Sequence, residues 1–298
     1  MYNKLLEVVS EDKIFINEPM KKHTSFKIGG NADYLILAKN ATEIINVISL
    51  CKKEKIPFFI MGNGSNLLVS DRGISGVVIK TAGALNSITV NGDEIIVESG
   101  VMLKKIANTA LEHSLTGFEE LSGIPGTVGG AVYMNAGAYG REFKDIVVSV
   151  KYIDENGNIC EKKNSELDFY HRHSVFTDTK CVILETVLKL EKGNKDEISD
   201  KMKEITKKRK DKQPLEYPSA GSTFKRPVGC FAAALIEEAG LKGRAVGDAE
   251  VSVKHSGFVI NKGNAAAADV LELIDIIKDT VKKKFNVELE LEVQIVGR

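Results

Sequence analysis

Apolar residues at positions 44, 45, 47, 48 and 51 recur at helical spacing, which predicts a helix over 42–55 with Thr42 as its N-cap and Pro57 just beyond its end. A short unbroken apolar run at 58–61 then reads as a buried strand. Strand-like segments follow at 76–80, 87–90 and 94–98, and Asn91-Gly92-Asp93 joins the last two as a hairpin turn. A second amphipathic helix is predicted over 102–114. Between 121 and 140 the pattern gives way to glycine, alanine and small polar residues, after which strands resume at 145–154, 158–161 and 180–190. A charged helix over 195–212, apolar only at Ile198, Met202 and Ile205, reads as a link to a further region. That region is expected to hold helices at 230–239 and 266–285, with strands at 257–260 and 287–296. Hairpins outnumber strand–helix–strand units in the middle of the chain, so the fold class is α+β rather than a doubly wound parallel sheet.

The chain has 298 residues, 43% of them hydrophobic, which is enough for two or three cored domains. Its 41 Lys plus Arg balance 41 Asp plus Glu, so no overall field draws it to nucleic acid or an anionic membrane, and any anion must be held locally. The four cysteines, Cys51, Cys160, Cys181 and Cys230, are widely spaced and read as reduced thiols of a cytoplasmic protein. Charges interrupt the first fifteen residues, so no secretory signal is expected, and no apolar run reaches the ~20 residues that span a bilayer.

Gly62-Asn-Gly-Ser-Asn66 follows the 58–61 strand. Glycine tolerates left-handed φ, so successive N–H groups there can form an anion nest suited to a pyrophosphate; an ordinary tight turn is the alternative. Leu67 takes the place of the last glycine of a Rossmann fingerprint, and Leu67-Leu-Val69 reads as strand rather than helix. The stretch 123–140 lacks side chains where backbone must approach something closely. A flat cofactor with a phosphate at a helix N-terminus near Thr127–Gly130 fits it, as does packing against protein alone. Arg172, within His171-Arg172-His173-Ser174, is a candidate fork for a carboxylate or a surface ion-pair member, and the histidines lack the further ligands a metal needs. Ser222 and Lys225 form a Ser-x-x-Lys that lacks the other elements of an acyl-serine hydrolase. In Glu288-Leu-Glu290-Leu-Glu292 the carboxylates share one strand face, and spacing does not separate Glu290 from Glu292.

Taken in order, His23-Thr-Ser-Phe-Lys-Ile-Gly-Gly30, 62–66, 123–140, 172–176, 220–227 and Leu289-Glu-Leu-Glu-Val293 resemble the bacterial UDP-N-acetylenolpyruvoylglucosamine reductase family over nearly the whole chain. The resemblance implies an FAD-binding fold of the vanillyl-alcohol-oxidase (PCMH) type in two subdomains, 1–80 and 81–193. A substrate-binding domain, 194–298, would follow, its C-terminal strand returning to the active site. It implies bound FAD, NADPH as hydride donor, UDP-N-acetylglucosamine enolpyruvate as substrate, no metal, and a cytoplasmic monomer that makes peptidoglycan precursor. It further implies Arg172 as the active-site arginine, Ser222 as proton donor and a protonated Glu292 as acidic partner. Cofactor contacts would come from Gly62, Asn63, Gly64, Ser65, Asn66 and Leu67. The second loop would add Gly126, Thr127, Gly129, Gly130, Asn135, Ala136, Gly137 and Ala138. Lys225, Arg226 and Lys254 are expected at the substrate diphosphate on grounds of charge. The length matches the form that lacks a substrate-domain insertion and its tyrosine contact. His171 stands where the family usually has tyrosine, which puts that tyrosine's contact in doubt while leaving Arg172 in register.

Overall fold

The computed structural model describes residues 1–298, which fall into two compact units. The first comprises Met1–Phe15, Tyr34–Asn63 and Gly76–Arg209; the second comprises Ile16–Asp33, Gly64–Ser75 and Lys210–Arg298. The chain is mixed helix and strand, as its patterning predicts.

The first unit is built on a five-stranded antiparallel sheet in the order Ile159–Lys163, Val147–Ile153, Val182–Lys189, Glu94–Glu98 and Ile88–Asn91. Strand side chains alternate faces, and both faces are buried here. Ile183 and Leu188 join a core with the helices Leu103–Glu112 and Val128–Tyr133. Val182 and Leu184 join another with the helix Ala41–Lys53 and the N-terminal Leu5 and Val9. This explains the unalternated Val182-Ile-Leu184 run: a strand covered on both sides has no solvent face to carry polar residues. Phe58–Met61 pairs in parallel with the 77–80 part of the strand Ile74–Lys80. The helix Ala41–Lys53 starts earlier than its apolar stripe predicts. Asn40, not Thr42, is the N-cap: its side chain accepts from Glu43 N, while Glu43 Oε2 accepts from Lys39 N. Asparagine and Glu three residues later thus form a reciprocal cap, which outweighs Thr42.

The second unit holds a three-stranded antiparallel sheet, Ala245–Val246, Ala249–Val251 and Val259–Asn261, against the helices Ala232–Glu238 and Ala267–Phe285. Val270, Leu273, Ile274, Ile277 and Val281 form the buried stripe of the longer helix, and Asn286 ends it in the left-handed conformation (φ 56°). Its N-terminus gets its acceptor from a distant segment: Asp71 Oδ1 and Oδ2 receive Ala267 N and Ala268 N at 2.8 and 3.0 Å. A carboxylate there satisfies two otherwise orphaned donors and opposes the helix dipole. The expected strand over 287–296 is regular only at Gln294–Val296, which pairs in parallel with Leu67–Val69. Upstream, Glu290 and Glu292 bond instead to Lys225 and Thr223, a single bridge rather than a ladder. No helix is long and apolar enough to cross a membrane.

Candidate functional site

In the first unit the two glycine-rich stretches meet. Asn63 Nδ2 donates to Pro125 O at 2.9 Å, and a Cβ at Gly62 would lie 2.2 Å from Thr127 Oγ1, so only glycine admits this approach. The 126–129 segment is laced to 99–103 by Leu103 N to Gly126 O, Val128 N to Val101 O and Gly129 N to Ser99 O. Gly129 is required by that lacing, because its Cβ would meet Ser99 Cβ at 2.8 Å. At Gly130, by contrast, only Thr127 Oγ1 comes near an added Cβ, at 3.7 Å. With the N–H groups of Val128 and Gly129 committed to Val101 O and Ser99 O, it is at Gly130 that the start of the helix Val128–Tyr133 faces room without side chains.

Thr127 Oγ1 sits between Gly62 and Gly130, almost fully buried, and has no hydrogen-bond partner in the protein; Ser99 Oγ is likewise unpaired. A buried hydroxyl left unpaired costs about 1–3 kcal/mol. A dinucleotide with phosphate oxygens at this loop supplies the missing partner, so the residues present fit FAD.

Asn135 has a different part. Fully buried and left-handed (φ 44°), it donates from Nδ2 to Tyr170 O (2.9 Å) and Glu142 Oε2 (3.2 Å) and accepts Lys144 N at Oδ1 (2.9 Å). Its side chain is occupied in bracing the neighbouring turns. Gly137–Ala138 pairs with Arg141–Glu142 around Tyr139 and Gly140, both at positive φ, which is the two-residue hairpin geometry. Ala136 accepts Phe143 N and donates to Ala131 O, so 135–138 lies pinned between helix and hairpin.

Arg172 is held on a tight turn. Tyr170 and His173 exchange backbone hydrogen bonds, the Tyr170 ring stacks on His173 at 3.8 Å, and Arg172 adopts φ 58° between them. His173 is fixed by Asp168 O and Asp178 Oδ2. Ser174, fully buried, donates to Tyr133 O at 2.7 Å and accepts Phe176 N. The serine two places after the arginine therefore anchors the arginine's turn to the helix Val128–Tyr133. The Arg172 guanidinium reaches towards Gly137 O at 3.4 Å. His171, the departure from the family pattern, is exposed at the turn's tip.

In the second unit, Ser25 gathers three motif segments. Its N–H donates to Gly64 O, and its hydroxyl donates to Ser219 O at 2.7 Å and lies 3.3 Å from Ser65 O. Thr223 N donates to Gly257 O, and Thr223 Oγ1 accepts Val259 N. Thr223 O accepts Glu292 N at 3.0 Å, and Lys225 N donates to Glu290 O, so 223–225 runs against 290–292. Asn66 closes the set from the other side: its Nδ2 donates to Glu292 O at 2.9 Å, while its carbonyl accepts Gln294 N. Leu67, next along, begins the strand paired with Gln294–Val296.

Ser222 and Glu292 are thus brought together through one shared neighbour, Thr223. The Ser222 side chain is half-buried and hydrogen-bonds to no protein group, leaving its hydroxyl available. The two glutamates that spacing could not separate differ here: Glu290 is exposed and faces Lys225 Nζ at 3.5 Å, whereas Glu292 is half-buried and tethered on both sides of its backbone. Lys225 turns to Glu290 and not to Ser222, so no serine–lysine nucleophile is assembled. Arg226 stacks over the Phe231 ring at 4.0 Å, and Lys254 Nζ donates to Lys210 O at 2.8 Å beside Glu216. Sequence reasoning overlooked Ser25, Ser99, Asn135's bracing role and Thr223, because each works through a non-local backbone contact.

Comparison with known proteins gives a consistent picture. Residues 213–296 match the family described as UDP-N-acetylenolpyruvoylglucosamine reductase, C-terminal domain, and residues 32–162 match an FAD binding domain. A UDP-N-acetylenolpyruvoylglucosamine reductase of Caldanaerobacter subterraneus is 55% identical over 297 residues, covering 100% of this chain and 98% of its own. The Clostridium kluyveri protein of the same name is 54% identical over 99% of this chain and 96% of its own. The crystal structure of the Thermus caldophilus reductase superposes with a TM-score of 0.81 at 35% identity, covering 95% of this chain and 98% of that one. A pollen glucose dehydrogenase, Phl p 4.0202, shares the fold alone, with a TM-score of 0.51 at 15% identity over 65% of this chain and 44% of its own.

Proposed function

Because this chain belongs to the UDP-N-acetylenolpyruvoylglucosamine reductase family, we propose that it reduces UDP-N-acetylglucosamine enolpyruvate to UDP-N-acetylmuramate at the expense of NADPH, in peptidoglycan precursor synthesis. FAD, when bound, relays hydride from NADPH to the enolpyruvyl double bond. The net change adds one hydride and one proton across C=C, and the protein's own groups govern the proton and the charge.

An enol ether accepts hydride poorly unless the adjoining carboxylate can take up the developing charge. Arg172 is assigned to hold that carboxylate, its planar fork matching two oxygens. A protonated Glu292 donates a hydrogen bond to the same group, stabilising the enolate more than the ground state. Ser222 then delivers its proton to the carbon α to the carboxylate. The observation that supports this reading is the run of 223–225 against 290–292, which brings the backbone next to the half-buried Ser222, at Thr223, against the backbone of the half-buried Glu292.

Gly62, Asn63, Thr127 and Gly130 are assigned to the dinucleotide through backbone N–H groups and the unpaired Thr127 hydroxyl, and Gly129, whose N–H is taken by Ser99 O, through its lack of a side chain. Gly64, Ser65, Asn66, Leu67, Gly126, Ala136, Gly137 and Ala138 complete the two loops, and Asn135 braces them. Lys225, Arg226 and Lys254 are assigned to the nucleotide diphosphate. The division into FAD subdomains 1–80 and 81–193 and substrate domain 194–298 belongs to the same proposal, with Phe26, Ile28 and Leu68 of the first stretch packed in the core of the third. On the same proposal the protein acts as a monomer in the cytoplasm.

Anaerobic visible spectroscopy of the purified protein tests the reading. Flavin bands should bleach with NADPH and recover on adding UDP-N-acetylglucosamine enolpyruvate. Bleaching without recovery would remove the substrate assignment, and a protein that neither carries nor takes up FAD would overturn the whole.

A further inference from the structure

Arg209 lies near the end of the helix Lys195–Lys212, where nearly every other side chain is charged and solvated. It differs from them in three ways. It is half-buried, its guanidinium makes no ion pair or hydrogen bond within the protein, and it is pressed against the first glycine of the 123–130 loop. A Cβ at Gly123 would stand 2.4 Å from Arg209 Cδ, 2.8 Å from Nε and 3.5 Å from Cζ. A side chain at residue 123 would therefore displace the outer part of Arg209 from where it lies. Gly123 has no positive φ, so turn geometry does not by itself demand glycine there.

Withdrawing a guanidinium from water without a partner is unfavourable, and burial here depresses the Arg209 pKa accordingly. Tyr139, the neighbouring ionisable group, carries no charge at neutral pH to offset it. The carboxylates along the same helix pair elsewhere or point to solvent: Glu204 with Lys208, and Asp200 with Lys203. What remains is a planar five-donor fork against the first residue of a loop that carries, four residues on, an unpaired threonine hydroxyl.

We propose that Arg209 is a phosphate-binding residue, clamping a phosphoryl group that lies against the Gly123 end of the loop. This rests on the proposed reaction, whose three ligands, FAD, NADPH and the uridine nucleotide, each carry a diphosphate. Arginine suits it because its fork engages two phosphate oxygens at once, which a lysine ammonium does not. Gly123 has a stated role in the same site, as the residue that lets the fork lie flat.

Arg209→Met keeps the aliphatic stem against Gly123 and removes the fork. Arg209→Lys keeps the charge alone, and Gly123→Ala keeps the arginine but displaces it. Three binding constants are read on the holoenzyme: that of FAD from its release on dilution, followed by flavin fluorescence, and those of NADP⁺ and UDP-N-acetylmuramate, each followed by perturbation of the oxidised flavin spectrum. Loss of a charge-assisted hydrogen bond predicts a roughly 10- to 100-fold weaker Kd for one ligand in Arg209→Met, with Gly123→Ala weakened in the same ligand and Arg209→Lys intermediate. Weakened FAD alone assigns the fork to the cofactor; weakened nucleotide alone assigns it to NADPH or the uridine nucleotide, whichever responds. Unchanged constants for all three ligands in folded Arg209→Met, or in Gly123→Ala and Arg209→Lys should that variant not fold, would overturn the proposal. A wild-type protein that binds no FAD would instead count against the function itself.

Discussion

Arg172 is the residue at which stability and activity should part company. It sits at φ 58° on the Tyr170–His173 turn, in a region that L-residues with a Cβ avoid. The left-handed conformation costs about 1–2 kcal/mol, a cost glycine does not carry. Both Arg172→Ala and Arg172→Gly remove the guanidinium, so both should lower the rate of substrate reduction by ~10²–10³, the usual effect of deleting one donor to a developing anion. Only Arg172→Gly relieves the backbone. Against the alanine variant it should gain roughly 1 kcal/mol, offset in part by the greater freedom of glycine in the unfolded chain. In a protein of this size that corresponds to a rise of about 1–2 °C in melting temperature. Thermal unfolding followed by far-ultraviolet circular dichroism, beside anaerobic stopped-flow reoxidation of the reduced enzyme, measures both quantities. If Arg172→Ala melts at or above Arg172→Gly, the turn is not strained. If either variant is reoxidised at the wild-type rate, Arg172 does not hold the substrate carboxylate.

Ser174→Ala removes a fully buried hydroxyl bonded to Tyr133 O at 2.7 Å; we expect a loss of about 1–3 kcal/mol and slower substrate reduction with FAD affinity retained, and an unchanged melting curve would discount the anchor. Glu292→Gln should slow reoxidation while leaving NADPH-driven bleaching intact, whereas Glu290→Gln, at an exposed position beside Lys225, should behave as wild type; equal effects from the two would dissolve the distinction between them. Burial lowers the pKa of His255 below the ordinary imidazole value, and Nδ1 is committed to accepting Gly257 N. The unfolded chain then takes up a proton that the folded state refuses, so stability is lost as pH falls from ~6.5 towards the folded pKa. Urea denaturation at pH 7.5 and pH 5.5 should show this, and His255→Gln should flatten the difference.

The sequence was most legible where neighbours in the chain decide the outcome. The helix Lys195–Lys212 and the strands Phe58–Met61 and Glu94–Glu98 lie where periodicity and turn chemistry put them, because their start and stop signals are local. Motif order carried the family, and composition alone marked the 123–140 loop as backbone-lined. The final strand was misread for a physical reason: Leu289, Leu291 and Val293 alternate with glutamates as a strand should, but the backbone donors and acceptors of Glu290 and Glu292 go to Lys225, Thr223 and Asn66, more than sixty residues away in sequence. The same non-locality places Ile16–Asp33 and Gly64–Ser75 with the C-terminal residues, with Ser25 and Asp71 as their ties. Neither serine nor aspartate carries any local mark of that role. The same blindness explains the glycines. Sequence can say that residues 62, 123 and 129 leave room, but not for what. At Gly62 and Gly129 the room is taken up by Thr127 and Ser99, and at Gly123 by Arg209, so part of a loop that reads as cofactor-facing is glycine for the protein's own packing. Gly130 faces open space, and its neighbour Thr127 has a buried hydroxyl still to be satisfied. A glycine-rich motif therefore marks close approach of any kind, and the unpaired polar atom beside it separates approach to a ligand from approach to the chain itself.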